Sequence, residues 1–172
     1  ARKAADFKQK KHMRILVVSD SHGSISALKQ ALYRASEENK IDMIFHLGDN
    51  FKDAVELQKI ADIPVECVAG NCDFVNYPTK RLVTAGAKRF FLTHGHEYGV
   101  GYSLDRLAYA AMEEEADAAL FGHTHKPLLD YGPGFLILNP GSVSRPRASK
   151  PSYGVIDIDS NGVLHANLFT LT

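Results

Sequence analysis

No apolar run in the sequence approaches the roughly 18 residues of a membrane-spanning helix, so an integral membrane protein is not expected. Cysteine is scarce. Cys67 and Cys72 are the only two, which rules out a disulfide framework and makes a reducing cytoplasm the expected compartment. Net charge is missing as well. Twenty basic side chains balance twenty acidic ones, so a broad surface that tracks the phosphates of extended nucleic acid is not expected. The basic N-terminal stretch lacks the apolar segment of a secretory signal. Repeats, low-complexity tracts and an interdomain linker are also absent. What remains is an ordinary globular composition, 45% hydrophobic and 23% charged over 172 residues, which predicts one domain with a sizeable core.

Residues 1–12 read as an extension foreign to that domain, of tag or vector origin, because they show no periodicity and His12-Met13 resembles a cloning junction. The extension holds five of the twenty basic residues and one of the twenty acidic ones, so the remaining 13–172 carry −4.

The stretch that organises the rest is Arg14–Gly23, where the apolar run Ile15-Leu16-Val17-Val18 stops on Ser19-Asp20-Ser21-His22. It predicts a strand covered on both faces that ends in two polar side chains two residues apart, placed to aim at one ion. A helix is expected over 24–39 with Ser24 as its cap, then a strand over 42–47 ending at Gly48-Asp49, a helix over 51–60, and a strand over 64–69 ending at Gly70-Asn71. Right-handed crossovers would set these polar loops along one edge of one sheet. Further on, strands are expected over 77–84, 88–93, 118–121, 128–131, 135–138, 153–158 and 163–171. A helix is expected over 103–116 and a hairpin turn at Asn161-Gly162. Helices early and strands late predict an α/β fold, two mixed sheets face to face with helices outside.

Five strands therefore end alike, at Asp20-x-His22, Gly48-Asp49, Gly70-Asn71, His94 and Gly122-His123-x-His125. Each has a plain reading alone: a helix cap for Asp49, turn punctuation for Asn71, a surface histidine for His94. Five together on one sheet edge point to a metal site. Oxygen and imidazole donors without thiolate suit manganese, iron, zinc or nickel.

These blocks, in this order, resemble the calcineurin-like metallophosphoesterases, and Asn139-Pro140-Gly141-Ser142 resembles the turn that follows in the small single-domain branch. The resemblance implies a four-layer α/β/β/α sandwich and two divalent metal ions, Mn2+ first and Ni2+, Zn2+ or Fe as alternatives. One ion would take Asp20, His22, Asp49 and His125; the second, Asp49, Asn71, His94 and His123. His94 is preferred over His96 because glycine follows it. Asp49, Asn71 and His94 would then stand at the reacting centre. A pair of ions about 3.5–4 Å apart would ionise the water that attacks phosphorus. Four positive charges against two carboxylates and one hydroxide leave +1, which a singly charged phosphodiester neutralises. The implied activity is hydrolysis of a small-molecule phosphodiester.

The branch also contains a retromer subunit that uses the fold as a protein scaffold, and the same site chemistry would serve a phosphomonoesterase or a nuclease. Small members of such families often pair, although no residue pattern here forces a homo-oligomer. Where many members carry histidine after the asparagine, this chain has Cys72, a poorer proton donor, which predicts a preference for good leaving groups. His96, Tyr98 and Tyr102 read either as a substrate wall or as loop residues packed on the next helix. Arg145 and Arg147 read either as phosphate contacts or as a solvated loop. His46 reads either as a core residue or as a support beside Asp49, Asp73 is expected to orient its neighbours by hydrogen bonding, and His165 to lie on a strand surface.

Overall fold

The computed structural model describes residues 12–132 and 134–171. The extension read at 1–12 lies outside the described residues except for His12, whose Nε2 sits 3.2 Å from an Asp157 oxygen.

The chain opens as a β-α-β-α-β run: β1 (Met13–Val18), α1 (Ile25–Ala35), β2 (Met43–His46), α2 (Phe51–Ile60) and β3 (Val65–Cys67). Crossovers through α1 and α2 leave β1, β2 and β3 parallel neighbours. The last two strands, β9 (Ser152–Ile158) and β10 (Leu164–Thr170), return to this sheet, β9 antiparallel to β1. The second sheet holds β4 (Lys80–Ala85), β5 (Lys88–Thr93), β6 (Ala118–Leu120), β7 (Pro127–Gly132) and β8 (Phe135–Pro140) in the order β4-β5-β6-β8-β7. Here β5, β6 and β8 run parallel, with α3 (Asp105–Glu113) crossing from β5 to β6.

Alternation along the strands explains the layers. Ile15 and Val17 point inward, where they meet Phe45, Phe90, Leu92, Leu120 and Leu138 between the sheets. Leu16 and Val18 point outward and are covered by Leu28, Ala31 and Leu57 of α1 and α2. All four β1 side chains are thereby fully buried, as the unbroken apolar run predicts. On the other side Phe91, Ala119 and Phe121 face Leu107 and Ala111 of α3. The result is the expected four-layer α/β/β/α sandwich of two mixed sheets.

Of the boundaries that differ from expectation, two have a plain local reason. The first helix ends at Ala35, where the Ser36 hydroxyl donates to the Leu32 carbonyl at 2.7 Å and competes with continuation. β4 starts at Lys80 instead of Tyr77: Pro78 has no N–H, and its carbonyl accepts from Ala69 N at 2.9 Å. The Ser24 cap is as expected, its Oγ accepting from Ala27 N at 3.4 Å.

The β4–β5 hairpin turns on Gly86 and Ala87, with φ of 55° and 63°. That is the two-residue turn in which both positions favour glycine or asparagine, and exposed Ala87 is strained there. Ala87→Gly is expected to stabilise the fold by about 0.5 kcal/mol after the added freedom of the unfolded chain is subtracted. The urea midpoint should rise at unchanged slope. A lower midpoint would show that the turn is unstrained.

Placement of the strand ends is the one architectural correction. β1, β2 and β3 belong to one sheet and β5 and β6 to the other, so the polar ends do not share a single sheet edge. They meet because the two stacked sheets present these ends at the same end of the sandwich.

Candidate metal centre

Three of the five strands, β1, β2 and β6, hand their polar residues to the site through an unusual backbone. Asp20, His22, Asp49, His123 and His125 have φ of 54°, 45°, 57°, 67° and 58°, and they make up five of the nine non-glycine residues with positive φ among the described residues. The left-handed region costs a residue with a Cβ about 1–2 kcal/mol. Hydrogen bonds between the loops hold them there: Asp20 N donates to Gly48 O at 3.1 Å, and Gly122 N to His94 O at 3.0 Å.

Asp20, His22, Asp49 and His125 each present a donor atom, all within 4.8 Å of one another. Asp20 Oδ1 lies 3.2 Å from His125 Nε2, and Asp49 Oδ2 lies 3.6 Å from His22 Nε2. A second group forms beside it. His94 Nε2 stands 3.3 Å from Asp49 Oδ1 and 3.1 Å from Asn71 Oδ1, which is also 2.9 Å from His123 Nδ1. Asp49 thus presents one oxygen to each group. The seven side chains carried over from the resemblance converge, and His94, not His96, faces the other donors.

These donors fit a cation. Asp20 Oδ2 accepts from the Ser19 hydroxyl at 2.7 Å and from His123 N at 3.1 Å. Its Oδ1 is buried and faces His125 Nε2 and His94 Nε2 at 3.2 and 3.9 Å, so a positive charge, on those rings or on a cation between them, has to answer it. The imidazoles are oriented for the same purpose. His94 Nδ1 donates to the Leu47 carbonyl at 2.7 Å, and His125 Nδ1 to that of Arg145, which leaves each Nε2 turned to the cluster.

Charge is held in place electrostatically. Burial works against ionised Asp49, but the hydrogen bond and charge of His94, with the Cys72 N–H, keep its carboxyl well below the ordinary range. Burial also opposes charge on His94, yet the Asp49 hydrogen bond and the Asp20 charge push its pKa up. For His125 the hydrogen bond with Asp20 dominates and raises it. Burial lowers His22, and burial with nearby His94 lowers His123.

Asp73 acts as expected, and with unusual reach. It accepts from Asp49 N, Asn50 N, Phe51 N and Gly70 N at 3.1, 3.0, 2.7 and 2.8 Å, tying the β2 and β3 ends together. His46 is fully buried. Its Nδ1 accepts from Gly48 N at 3.3 Å, and its Nε2 meets Ser21 Oγ at 3.0 Å. The Ser21 hydroxyl donates in turn to Asp53 Oδ2 at 2.6 Å. Sequence reasoning missed the link to Ser21 and Asp53, and it missed Ser144, which with Ser142 of the Asn139–Ser142 turn donates a hydroxyl to Asp20 O, at 3.3 and 2.7 Å. Asn139 came to notice only as part of a turn; it donates to Gly122 O at 2.9 Å. Two glycines are there for close approach: a Cβ at Gly70 would strike Asp49 Oδ1, and one at Gly122 would strike Ser19 Oγ.

The donors open into a cleft of about 400 Å³ lined also by Cys72, Arg145, Pro146 and Arg147. Cys72 is exposed; its N–H donates to Asp49 Oδ1 at 3.0 Å, while burial and Asp49 push its thiol pKa up. His96 lies beside His94 and His123, with ring centroids at 5.5 and 6.2 Å. Tyr98 packs its edge on Phe91 at 5.9 Å, in the layer under α3.

Comparison with known proteins identifies the family and agrees with the fold. The calcineurin-like phosphoesterase superfamily domain matches residues 13–161. The probable metallophosphoesterase YsnB of Bacillus subtilis is 34% identical over 151 residues, covering 87% of this chain and 86% of that protein. The phosphodiesterase YfcE of Escherichia coli is 28% identical, covering 90% and 93%. Among solved structures, Vps29 from Entamoeba histolytica superposes with a TM-score of 0.71 at 20% identity, covering 91% of this chain and 98% of that one, which is a likeness of fold.

Proposed function

This chain belongs to the calcineurin-like phosphoesterase superfamily, and we propose that it is a cytoplasmic, divalent-metal-dependent phosphodiesterase acting on a small-molecule diester. The observation that carries this reading is Asp49, whose Oδ1 faces His94 and whose Oδ2 faces His22. One carboxylate placed between two donor groups is what a pair of ions requires. Asp20, His22, Asp49 and His125 would hold one, and Asp49, Asn71, His94 and His123 the other, manganese being the first candidate. Bound there, the ions would supply an ionised water and charge stabilisation at phosphorus. The chain's own part is to hold the donors rigid through Asp73 and the Leu47 and Arg145 carbonyls, and to place Arg145 and Arg147 along the cleft where an anion enters.

The test is a panel of cyclic nucleotides, dinucleotides, aryl diesters and aryl monoesters assayed with manganese, nickel, zinc and magnesium in turn. Diesters are expected to be turned over faster than matched monoesters. The opposite order would make the chain a phosphomonoesterase. No turnover together with no cation binding would favour a scaffold. Among the described residues no helix is long and apolar enough to cross a membrane.

Protons and cations compete for the same nitrogens. The raised pKa values of His94 and His125 mean that their charged rings stabilise the cation-free fold below the unfolded value of about 6.5. That contribution is lost as pH rises through the folded values, and the lone pairs become free. The rise in Tm on adding manganese is therefore expected to be small near about pH 5 and to grow toward about pH 8. A pH-independent shift would mean that these imidazoles are not ligands.

The Cys72 thiol, whose pKa partial desolvation and Asp49 push up, is a weak acid toward an alkoxide. Cys72→His is expected to raise turnover of a diester with a poor leaving group by about 10–100-fold, with much less effect on a nitrophenyl ester. Equal effects on both would remove any role for this position in protonating the leaving group.

A further inference from the structure

A groove of about 560 Å³ opens beside the metal cleft and shares His123 and Arg147 with it. Its apolar lining comes from Phe121 at the end of β6, from Val100 and Leu104 ahead of α3, and from Leu128 in β7. Tyr102 lines it too, with its side chain wholly in solvent. The charges are one-sided: Lys126 and Arg147 line the groove, and no carboxylate does so among the described residues.

Lys126 directly follows the turn that carries His123 and His125, and the loop of Arg147 is bonded to that turn. Lys126 N donates to Thr124 Oγ1 at 3.3 Å, and Asn139 donates to the same oxygen at 3.0 Å. Arg147 N donates to His125 O at 3.1 Å. The backbones of Lys126 and Arg147 are therefore anchored beside His123 and His125, and their exposed side chains can reach into the groove.

We propose that this groove is the subsite for one arm of the diester, and that the arm is a planar aromatic group bearing a second anionic substituent, as a phosphorylated nucleoside does. The assignment rests on the diesterase reading of the adjoining cleft. The volume lies within the range of small-ligand pockets. The apolar lining and the Tyr102 ring suit the faces of a planar group, which every base offers. Two cations without an acidic neighbour suit an anion. A short neutral arm would use none of these features.

Three diesters with one leaving group separate the contributions: methyl 4-nitrophenyl phosphate, thymidine 5′-(4-nitrophenyl phosphate), and the same thymidine ester carrying a 3′-phosphate. With the manganese-loaded protein, kcat/KM is expected to rise in that order, the gains appearing mainly in KM. Lys126→Glu should lower the ratio of the 3′-phosphorylated to the unphosphorylated thymidine ester by about 30-fold. Tyr102→Ala should lower the ratio of either thymidine ester to the methyl ester by about tenfold. Equal rates on all three diesters, or equal losses on all three in both variants, would overturn the subsite. If no diester is cleaved with any metal, the diesterase reading fails separately. Binding of thymidine 3′,5′-bisphosphate by calorimetry then decides the groove: affinity weakened by Lys126→Glu upholds it, and no binding overturns it.

Discussion

Asp49→Asn is expected to lower kcat/KM on a diester by about 10³-fold or more while leaving the fold intact. Asparagine keeps one oxygen, but its amide nitrogen has no lone pair to offer, so only one of the two donor groups would retain its share of this side chain. Half of the carboxylate charge contributed by Asp20 and Asp49 also disappears. The backbone is not the reason for the loss. Position 49 sits at φ 57°, which asparagine tolerates better than most residues, and its N–H can still donate to Asp73. Circular dichroism should match the parent protein, and Tm without added metal should fall only by what the lost Asp49–His94 ion pair contributed. Activity within tenfold of the parent would show that the two donor groups do not work through Asp49.

The second large effect is expected at Asp73, which touches no reacting atom in this account. Removing it in Asp73→Ala leaves the N–H groups of Asp49, Asn50, Phe51 and Gly70 without their acceptor. Charge-assisted bonds of this kind are worth more than neutral ones, and the partly buried donors cannot all turn to water. A destabilisation of about 3 kcal/mol is expected, read as a lower urea midpoint. Manganese affinity should fall as well, because the loop carrying Asp49 is no longer tied to the loop carrying Asn71. Asp73→Asn, which keeps one accepting oxygen, should recover part of both losses. A stable variant with parental manganese affinity would mean that the two strand ends hold their positions without Asp73.

Much of the framework was legible in the sequence because it is local. The run Ile15–Val18 is apolar at every position, and only a strand with both faces covered buries all of them. The helix expected over 51–60 has the bounds of α2, although of its apolar positions Val55 and Ile60 are exposed. The five polar strand ends were visible as punctuation, each breaking an apolar run. The mistaken part, one sheet edge instead of two, concerns how β1 to β3 sit against β5 and β6. That depends on the packing of Phe45 on Phe90, at 5.3 Å between ring centroids, and no local pattern encodes it.

The supports of the site were harder to read for the same reason. Ser142 and Ser144 reach Asp20 across more than 120 residues of chain, and Ser21 meets Asp53 across 32. In sequence these residues look like ordinary loop residues. The left-handed backbone of Asp20, His22, Asp49, His123 and His125 gave only a weak signal, since Asp and His, the types at all five positions, tolerate that region better than most residues but are common outside it. The choice between His94 and His96 rested on a neighbouring glycine; in space it rests on the Leu47 carbonyl, which turns the His94 ring toward Asn71 and Asp49.

The most direct measurement is anomalous diffraction from crystals grown with manganese near pH 8, paired with elemental analysis of the dissolved protein. Two peaks per chain are expected, one on each side of the Asp49 carboxylate, the first against Asp20, His22 and His125, the second against Asn71, His94 and His123. A protein that takes up no cation, or one whose cation lies away from Asp49, would contradict the dinuclear site and the hydrolytic chemistry built on it.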